Sequence, residues 1–459
     1  MTSAASGTSS SHGGADDSEG KNDSWRRDFN LLLGGSALSQ LGTLGAAAAN
    51  PLLALALTDS PIIAGWAAAA STLPGLFLHL PVGLLVDHYD RKRIMLISQL
   101  IRVANSVLLF IGLCALAEPW PILIVAAVID GSCAVFFRLA EFAAVRFVVP
   151  DGEAESAMAK NEARHHVALV FGRPLGGFLF TAGRALPYIL DALTSLISVV
   201  SILLLKRKNL QSFELGRLEF WKLSKGKAVP SFKEGMRRIR DDEFLRTSLG
   251  FCTIANVGFQ IIILVLVVEA ERQRFSGTTI GLMLATSGIC GVLGALTATR
   301  VVRWRRPRST VRWSVTLWAP CLVIVAFTAE MPLIGIFVWG ACSLTGAYIN
   351  VALAMHQSRV IPQNVLGRVE GVAQFLTTGA VTLGASVAGY VIEALGTRVT
   401  AALVAVVFVL IAVGVWSPVA FAQTSSQRDP SKADRKARAA VAGDPASGRG
   451  TMVRMGEDG

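Results

Sequence analysis

Apolar stretches long enough to cross a lipid bilayer recur along most of this 459-residue chain, separated by polar turns. They lie at approximately 29–57, 62–86, 94–116, 121–148, 160–182, 186–205, 247–269, 278–302, 312–329, 332–356, 366–393 and 399–420. A membrane-spanning helix needs about 20 predominantly apolar residues, and a longer stretch is accommodated by tilt. The pattern therefore predicts an all-α integral membrane protein with twelve transmembrane helices.

Composition supports the membrane class and argues against several others. Hydrophobic residues make up 52% of the chain and charged residues 16%, whereas a soluble protein carries about 25% charged residues. The net charge of +11 arises from basic residues in short gaps and in the tail, so we expect contact with anionic lipid headgroups rather than with nucleic acid. The six cysteines lie inside apolar stretches without C-x-x-C spacing, and no metal or other cofactor is expected.

The distribution of basic residues predicts the orientation in the membrane. The turns at 87–93, 146–164, 300–312 and 359–368 hold fourteen arginine and lysine residues. Turns on the opposite side hold only Arg184, Arg272, Arg274 and Arg398. Because basic residues resist translocation, the first set is predicted to be cytoplasmic. Both termini are then cytoplasmic, in a multi-pass protein of the inner (plasma) membrane.

A polar gap divides the apolar stretches six and six. The predicted organisation is a disordered cytoplasmic N-terminal tail (1–28), a six-helix bundle (29–205), a basic cytoplasmic linker (206–246), a second six-helix bundle (247–420) and a disordered basic cytoplasmic tail (421–459). The linker is interpreted as a solvated segment on anionic headgroups, with a short amphipathic helix as one possible form.

A charged turn between the second and third stretches carries a family resemblance. Its sequence is Gly83-Leu84-Leu85-Val86-Asp87-His88-Tyr89-Asp90-Arg91-Lys92-Arg93, and it resembles the signature loop of the major facilitator superfamily of secondary transporters. Asp90 stands where many members have glycine. The resemblance implies a monomer with two six-helix pseudo-repeats and transport by alternating access. It also implies a gate at Asp87, supported by Gly83, Arg91 and Lys92, with Arg368 as the facing partner.

Two further segments are similar to the branch of that superfamily that includes macrolide-efflux proteins and the enterobactin exporter. The first runs from Met355 to Val369, and the second contains Gly172, Pro174, Gly176 and Gly177. Exporters of this branch usually have Gly-Pro at the second segment, whereas here Arg173 stands before the proline. The small residues still permit close helix packing, and the arginine must find a partner or a wet cavity.

Charged residues inside the apolar stretches are the candidates for chemistry, because a charge at mid-membrane is costly unless it faces a cavity or a partner. They are Asp130, Arg138 and Glu141 in the fourth stretch, Arg102 in the third and Arg173 in the fifth. Arg138 and Glu141 are three residues apart and are predicted to pair on one helix face. Asp130 or Glu141 could take up and release a proton. The same residues could equally form a static ion-pair network.

Uncharged polar side chains give a second, weaker set of candidates. Gln40, Asn50, Asn256 and Gln260 could line a substrate cavity, or they could make hydrogen bonds between helices. Asp191, Glu269 and Glu393 are predicted to lie near outer helix ends, where water solvates them. His79 is predicted to be a packing residue.

The sequence thus predicts a secondary active transporter of a small-molecule substrate, with protons as the energy source. The preferred function is efflux of small amphipathic compounds, such as an antibiotic or a siderophore. An importer or a lysolipid flippase of the same fold is the alternative. A membrane-bound enzyme would need a nucleophile–base or metal constellation, and a receptor would not need the intramembrane charges; neither class is favoured.

Overall fold

The fold was analysed in a computed structural model that describes residues 13–150, 153–205, 230, 232–328, 331–361 and 363–417. Within these residues all regular secondary structure is helical. The elements are α1 (Gly13–Thr58), α2 (Pro61–His88), α3 (Arg91–Ala115), α4 (Trp120–Val148), α5 (Ala154–Ala182), α6 (Leu186–Leu203), α7 (Glu243–Arg272), α8 (Gly277–Arg305), α9 (Pro307–Phe327), α10 (Pro332–Val360) and α11 (Gln363–Val415). Residues 232–241 form an additional short helix, the linker helix.

Several helices begin at a side chain that caps their free N–H groups. The Asp90 carboxylate accepts from the Lys92 N–H at 3.0 Å, and the Asp242 carboxylate accepts from the Leu245 N–H at 2.8 Å. Ser276 does the same at the start of α8. Aspartate and serine are among the preferred N-cap residues. Asp90, the departure from the family signature, therefore has a structural reason.

Element α11 is two helices joined at one residue. Gly396 has φ 77° and ψ 167°, which turns the chain between an arm at 363–395 and an arm at 397–415. Glycine adopts positive φ without the strain that a Cβ would introduce. Ten of the described helices are long and apolar enough to span a membrane. This number counts α11 as one helix and does not include α5. Adding α5 and the second arm of α11 gives the twelve predicted helices.

The helices pack into two groups, and the two groups contact each other along two seams. In the first group α1 packs on α5 and α6, α2 packs on α4, and α3 packs on α4 and α6. In the second group α7 and α9 pack on α11, α8 packs on α10, and α9 also packs on α10. The seams between the groups are α2 with α11 and α5 with α8. This arrangement is that of two six-helix pseudo-repeats.

Two of the predicted boundary segments are structured differently. Helix α1 already starts at Gly13, so it extends into the tail predicted to be disordered; the acidic start of this extension favours a helix N-terminus. The linker helix has apolar residues at 232, 236 and 239, and Phe232 of this face contacts α11. Phe232 and Phe375 lie edge to face with ring centroids 5.4 Å apart, and Ile239 is buried. Residues 206–229 and 418–459 lie outside the described residues.

Candidate functional site

The guanidinium of Arg102, on α3, is the centre of a buried polar cluster in the first helix group. Its Nε donates to Asp130 at 2.7 Å, its Nη1 donates to Ser39 at 2.9 Å and to Gln99 at 3.3 Å, and its Nη2 donates to Thr43 and Asp191. A guanidinium has five N–H donors. All five therefore have an acceptor within the protein, and the side chain is 2% exposed.

Asp191, on α6, is the second acid of this cluster. One of its oxygens accepts from Arg102 and the other accepts from the Ser106 hydroxyl at 2.9 Å. Gln99 extends the network by donating to Ser39 at 2.8 Å and to Ser198 at 3.1 Å. With both carboxylates ionised, the cluster of Arg102, Asp130 and Asp191 carries one uncompensated negative charge.

The sequence-based expectation for Asp191 was wrong. It was predicted to be solvated near an outer helix end, whereas it is 1% exposed and contacts Arg102. A signal was present: polar residues recur on α6 at spacings of three and four, and this spacing predicts one buried helix face. These residues are Asp191, Thr194, Ser195 and Ser198. Gly42 allows this approach, because a Cβ there would lie 2.9 Å from the Asp191 Cα.

Glu141 has a different partner from the predicted one. Arg164 of α5 donates to its carboxylate at 3.1 Å, and both side chains are buried. The Arg138 side chain is exposed, and no ion pair between it and Glu141 is found within 4.0 Å among the described residues. The three-residue spacing predicted a partner on the same helix, but a base on the neighbouring helix α5, Arg164, pairs with the Glu141 carboxylate instead. The five charged residues that were predicted to form one network therefore do not all contact one another.

Arg173 lies on α5 at the seam with α8. Its Nη1 donates to the Ser287 hydroxyl at 3.2 Å. The small residues around it make the close contacts predicted for them: Gly172 and Gly176 pack on α1, and a Cβ at Gly177 would lie 2.7 Å from the Gly281 Cα on α8. Pro174 is inside the helix.

The two helix groups are closer at one end than at the other. We call the end where α1 meets α2 the α1–α2 end, and the opposite end the α2–α3 end. At the α1–α2 end, Cβ atoms added at Gly65 or Gly389 would lie within 3 Å of backbone atoms across the α2–α11 seam. Toward the α2–α3 end, a Cβ at Gly83 or at Gly291 would meet nothing within 4 Å. The seams are thus closed at the α1–α2 end and diverge toward the α2–α3 end.

The uncharged candidates are distributed over several helix contacts. Asn50 accepts from the Tyr188 hydroxyl at 2.9 Å, and both side chains are buried, so it makes a hydrogen bond between helices. Gln40, Asn256 and Gln260 are half-buried. His79, predicted to be a packing residue, is half-buried on α2, donates to the Gly75 carbonyl and lies beside Thr378 of α11.

A hydrogen bond at the α2–α3 end connects Asp242, just before α7, with His356 near the end of α10. His356 Nε2 lies 3.0 Å from an Asp242 oxygen. Burial pushes the pKa of Asp242 upward, but hydrogen bonds from His356 and from the Leu245 N–H outweigh it, so the pKa lies below its ordinary value. Among the described residues, no group of three His, Cys, Asp or Glu side chains is arranged to hold a metal ion.

A comparison of the whole chain with protein families decides its class. Residues 26–454 match the family described as transmembrane secretion effector. The chain belongs to this family.

Curated relatives are similar over most of their length. Among them are an uncharacterised major-facilitator-type transporter, YkuC, from Bacillus subtilis (24% identity, covering 78% of this chain and 85% of that one) and the multidrug efflux pump Tap from Mycolicibacterium fortuitum (26% identity, 77% and 86%).

Solved structures confirm the fold of this secretion effector family member. A POT family transporter in complex with 5-aminolevulinic acid superimposes with a TM-score of 0.68 at 11% identity, covering 86% of this chain and 96% of that one. A bacterial homologue of the human lysosomal transporter Spinster, in an inward-facing and unoccupied conformation, gives 0.62 at 14% identity, with 85% and 96% covered. The predicted major facilitator fold is confirmed, and the protein is a transporter rather than an enzyme.

The predicted gate of this family member is described in part. The Asp87 side chain lies outside the described residues. Arg91 is buried, and Lys92 donates from its ammonium group to the Leu205 carbonyl at 3.0 Å. Arg368, predicted as the partner of Asp87, is paired with Glu234 of the linker helix. In this conformation the arginine is thus held within the second half of the transporter.

Proposed function

We propose that this transporter exports small amphipathic compounds from the cell and is driven by protons moving inward. Its relationship to a multidrug efflux pump supports the direction and the substrate class. The basic turns at the α2–α3 end support a cytoplasmic location for that end and for both termini, in the plasma membrane. The conformation described above is then open toward the cytoplasm.

The observation that carries the proposal is the composition of the Arg102 cluster. Two carboxylates share one guanidinium inside the membrane, so one negative charge is left without a counter-charge. A buried uncompensated charge is costly, and a bound proton removes it. A cluster with equal numbers of acids and bases would gain nothing from a proton. The imbalance is therefore what a proton carrier needs and what a purely structural ion pair does not need.

The two acids differ in their access to protons. The Asp130 side chain is 19% exposed, whereas Asp191 is 2% exposed and has partners for both oxygens. Asp130 is accordingly the acid that exchanges protons, and Asp191 holds Arg102 in place. When Asp130 is protonated, Arg102 and Asp191 remain as a balanced pair. Loss of the Asp130 contact loosens α4 from α3, and this is the local change coupled to movement of the two halves.

The test uses inside-out membrane vesicles with an acidic interior. Uptake of three dansyl-labelled amphiphiles, one anionic, one neutral and one cationic, is followed with and without the pH gradient. We expect gradient-dependent uptake in the wild type, and loss of that dependence in Asp130→Asn. Glu393→Gln is the matched control, because it neutralises an exposed acid on α11. If Asp130→Asn keeps full gradient dependence, the cluster is a static ion pair and the proton route is elsewhere.

The direction of transport is tested in the same preparation with the gradient reversed. An exporter that exchanges protons for substrate loses uptake when the interior is made alkaline. An importer driven by protons, or a lipid flippase, would not show this dependence, and either result would replace efflux as the function.

A further inference from the structure

The charge on Arg173 is not balanced by any acid within reach. Among the described residues its guanidinium makes one hydrogen bond, at 3.2 Å to the neutral hydroxyl of Ser287. In the part of the chain that the structure describes, no carboxylate lies within 4.0 Å of its nitrogens. A guanidinium offers five donors in a planar fork that matches a carboxylate or a phosphate. At least three of these donors are therefore available to another molecule.

The other buried arginines of the spans show what a structural arginine looks like here. Arg102 contacts two carboxylates, and Arg164 contacts one. Both lie inside the first helix group. Arg173 instead lies on the seam between the two halves, where it is half-buried. A fixed structural role would favour a fixed acid partner, because an unpaired charge in a membrane is expensive.

The position of Arg173 along the seam is also informative. One turn further toward the α1–α2 end, Gly177 and Gly281 bring α5 and α8 into backbone contact. The Arg173 side chain reaches toward the α2–α3 end, where it contacts Ser287. Farther along α8 in the same direction, a Cβ added at Gly291 would meet nothing within 4 Å. Arg173 is therefore placed where the close contact ends and the space between the halves begins.

We infer that Arg173 is the binding site for an anionic group, a carboxylate or a phosphate, on the amphipathic compound that this protein carries. This inference rests on the proposed function, because it assigns one polar end of the exported compound. The guanidinium binds the anion with two parallel N–H donors, and Ser287 of the other half holds the guanidinium in place. The apolar part of the compound then extends between the two halves toward the α2–α3 end.

The binding test uses the full-length protein in nanodiscs of zwitterionic lipid. Three probes share one fluorophore: dansyl-labelled undecanoic acid, its methyl ester and the cationic dansylcadaverine. We expect the wild type to bind the acid about tenfold more tightly than the ester, as a charge-assisted bidentate contact implies. Arg173→Gln is expected to remove this preference while leaving the ester unchanged. Arg173→Lys keeps the charge but loses the fork, and an intermediate preference is expected.

Two controls separate binding from folding. Arg303→Gln removes a basic residue at the end of α8, and its preference for the acid is expected to equal that of the wild type. Thermal unfolding of Arg173→Gln without probe is expected to occur at a temperature equal to or above that of the wild type, because an unpaired buried charge has been removed. A large drop in unfolding temperature, together with unchanged preference for the acid, would make Arg173 a structural residue and overturn the inference.

The source of the anion is resolved by competition with lysophosphatidylglycerol. Displacement of the acid probe in the wild type but not in Arg173→Gln means that a lipid phosphate occupies the site; no displacement means that the site takes carboxylated solutes. Both results support an anion site. Equal affinity of the acid and the ester in the wild type would refute it. The vesicle assay separates failure of the site from failure of the proposed function. If the ester and the cation show gradient-dependent uptake, and the Arg173 variants take up the acid as the wild type does, only the anion site is refuted. If none of the three probes shows gradient-dependent uptake, the proposed function is refuted.

Discussion

Glu234 of the linker helix and Arg368 at the beginning of α11 form an ion pair in the conformation whose halves diverge toward the α2–α3 end. A Cβ added at Gly235 would lie 2.5 Å from the Arg368 carbonyl oxygen, so the linker helix is in direct contact with this turn. By family resemblance, Asp87 of the other half is expected to bind the same arginine when that end closes. On that expectation, Glu234 and Asp87 would compete for Arg368.

We therefore expect Glu234→Gln to shift the protein toward closure of the α2–α3 end. The pair is about one-third exposed, and exposed ion pairs contribute about 0.2–1 kcal/mol, so the shift is expected to be up to about fivefold. The measurement is maleimide labelling of Gly291→Cys in a variant whose native cysteines are serines, since Gly291 faces open space. Labelling should slow in Glu234→Gln and not in Glu393→Gln. Faster labelling would contradict the competition.

Arg102 is expected to be essential for stability because the buried Asp191 and the partly buried Asp130 both depend on it. Removing one partner of a buried ion pair costs about 3–5 kcal/mol. Arg102→Met should lower the unfolding temperature in detergent strongly, and adding Asp191→Asn and Asp130→Asn should restore part of it. The restoration is the informative result, because a loss caused by packing alone would persist in the triple variant.

The Asp242–His356 pair predicts a pH dependence of stability. The folded pKa of Asp242 is depressed, so its contribution is present above the ordinary aspartate pKa of about 3.9 and is lost as the pH falls below that value through the folded pKa. Asp242→Asn keeps an N-cap side chain and removes the charge. Unfolding measurements should show the wild type more stable than this variant by about 1 kcal/mol at pH 6, with the difference shrinking below about pH 4. If the stability difference between the wild type and Asp242→Asn does not change with pH, it arises from packing and not from the charge of Asp242.

The α5–α8 seam should not tolerate even one added methyl group at its closest point. A Cβ at Gly177 would collide with backbone atoms of Gly277 and Gly281 across the seam. Gly177→Ala is therefore expected to prevent closure of the α1–α2 end and to reduce transport of the dansyl probes at least about tenfold, although α5 itself gains helix propensity. Gly414→Ala, in the second arm of α11 with nothing within 4 Å, is the control and should transport normally.

The turn at Gly396 gives a prediction with a close control in the same element. Gly396→Ala places a Cβ at positive φ and is expected to destabilise the protein by about 1–2 kcal/mol. The control is Gly414→Ala in the second arm of α11. A Cβ at Gly414, as at Gly396, would have no neighbouring atom within 4 Å, but Gly414 does not have a positive φ. The unfolding temperature of Gly414→Ala should match or exceed that of the wild type. Similar losses in both variants would show that the backbone conformation at 396 is not the cause.

The helices could be predicted from the sequence because each depends on a local pattern. Apolar length predicted all twelve helical arms, and the glycines of the fifth helix predicted its close packing. Helix α1 begins at Gly13, inside the tail that was predicted to be disordered. The linker also shows the limit of a local pattern, since its apolar face was readable at 232, 236 and 239 but its docking partner on α11 was not.

The site was harder to predict because ion-pair partners come from different helices. Arg102 was recognised as a charged residue in a span, but its contact with Asp191 depends on how α3 and α6 face each other. Glu141 was assigned to its nearest base along the helix, and the three-dimensional arrangement gave it to Arg164 instead. Sequence spacing identifies neighbours on one helix, whereas a polar cluster in a bundle is set by register between helices.

The connections at the α1–α2 end are all short. Two residues separate α1 from α2, three separate α5 from α6, four separate α7 from α8, and a single glycine turns the last two spans. None of these four connections is long enough to fold over an entrance. Opening there must come from tilting of whole helices about the glycine contacts, so a substitution that stiffens a loop cannot trap the carrier.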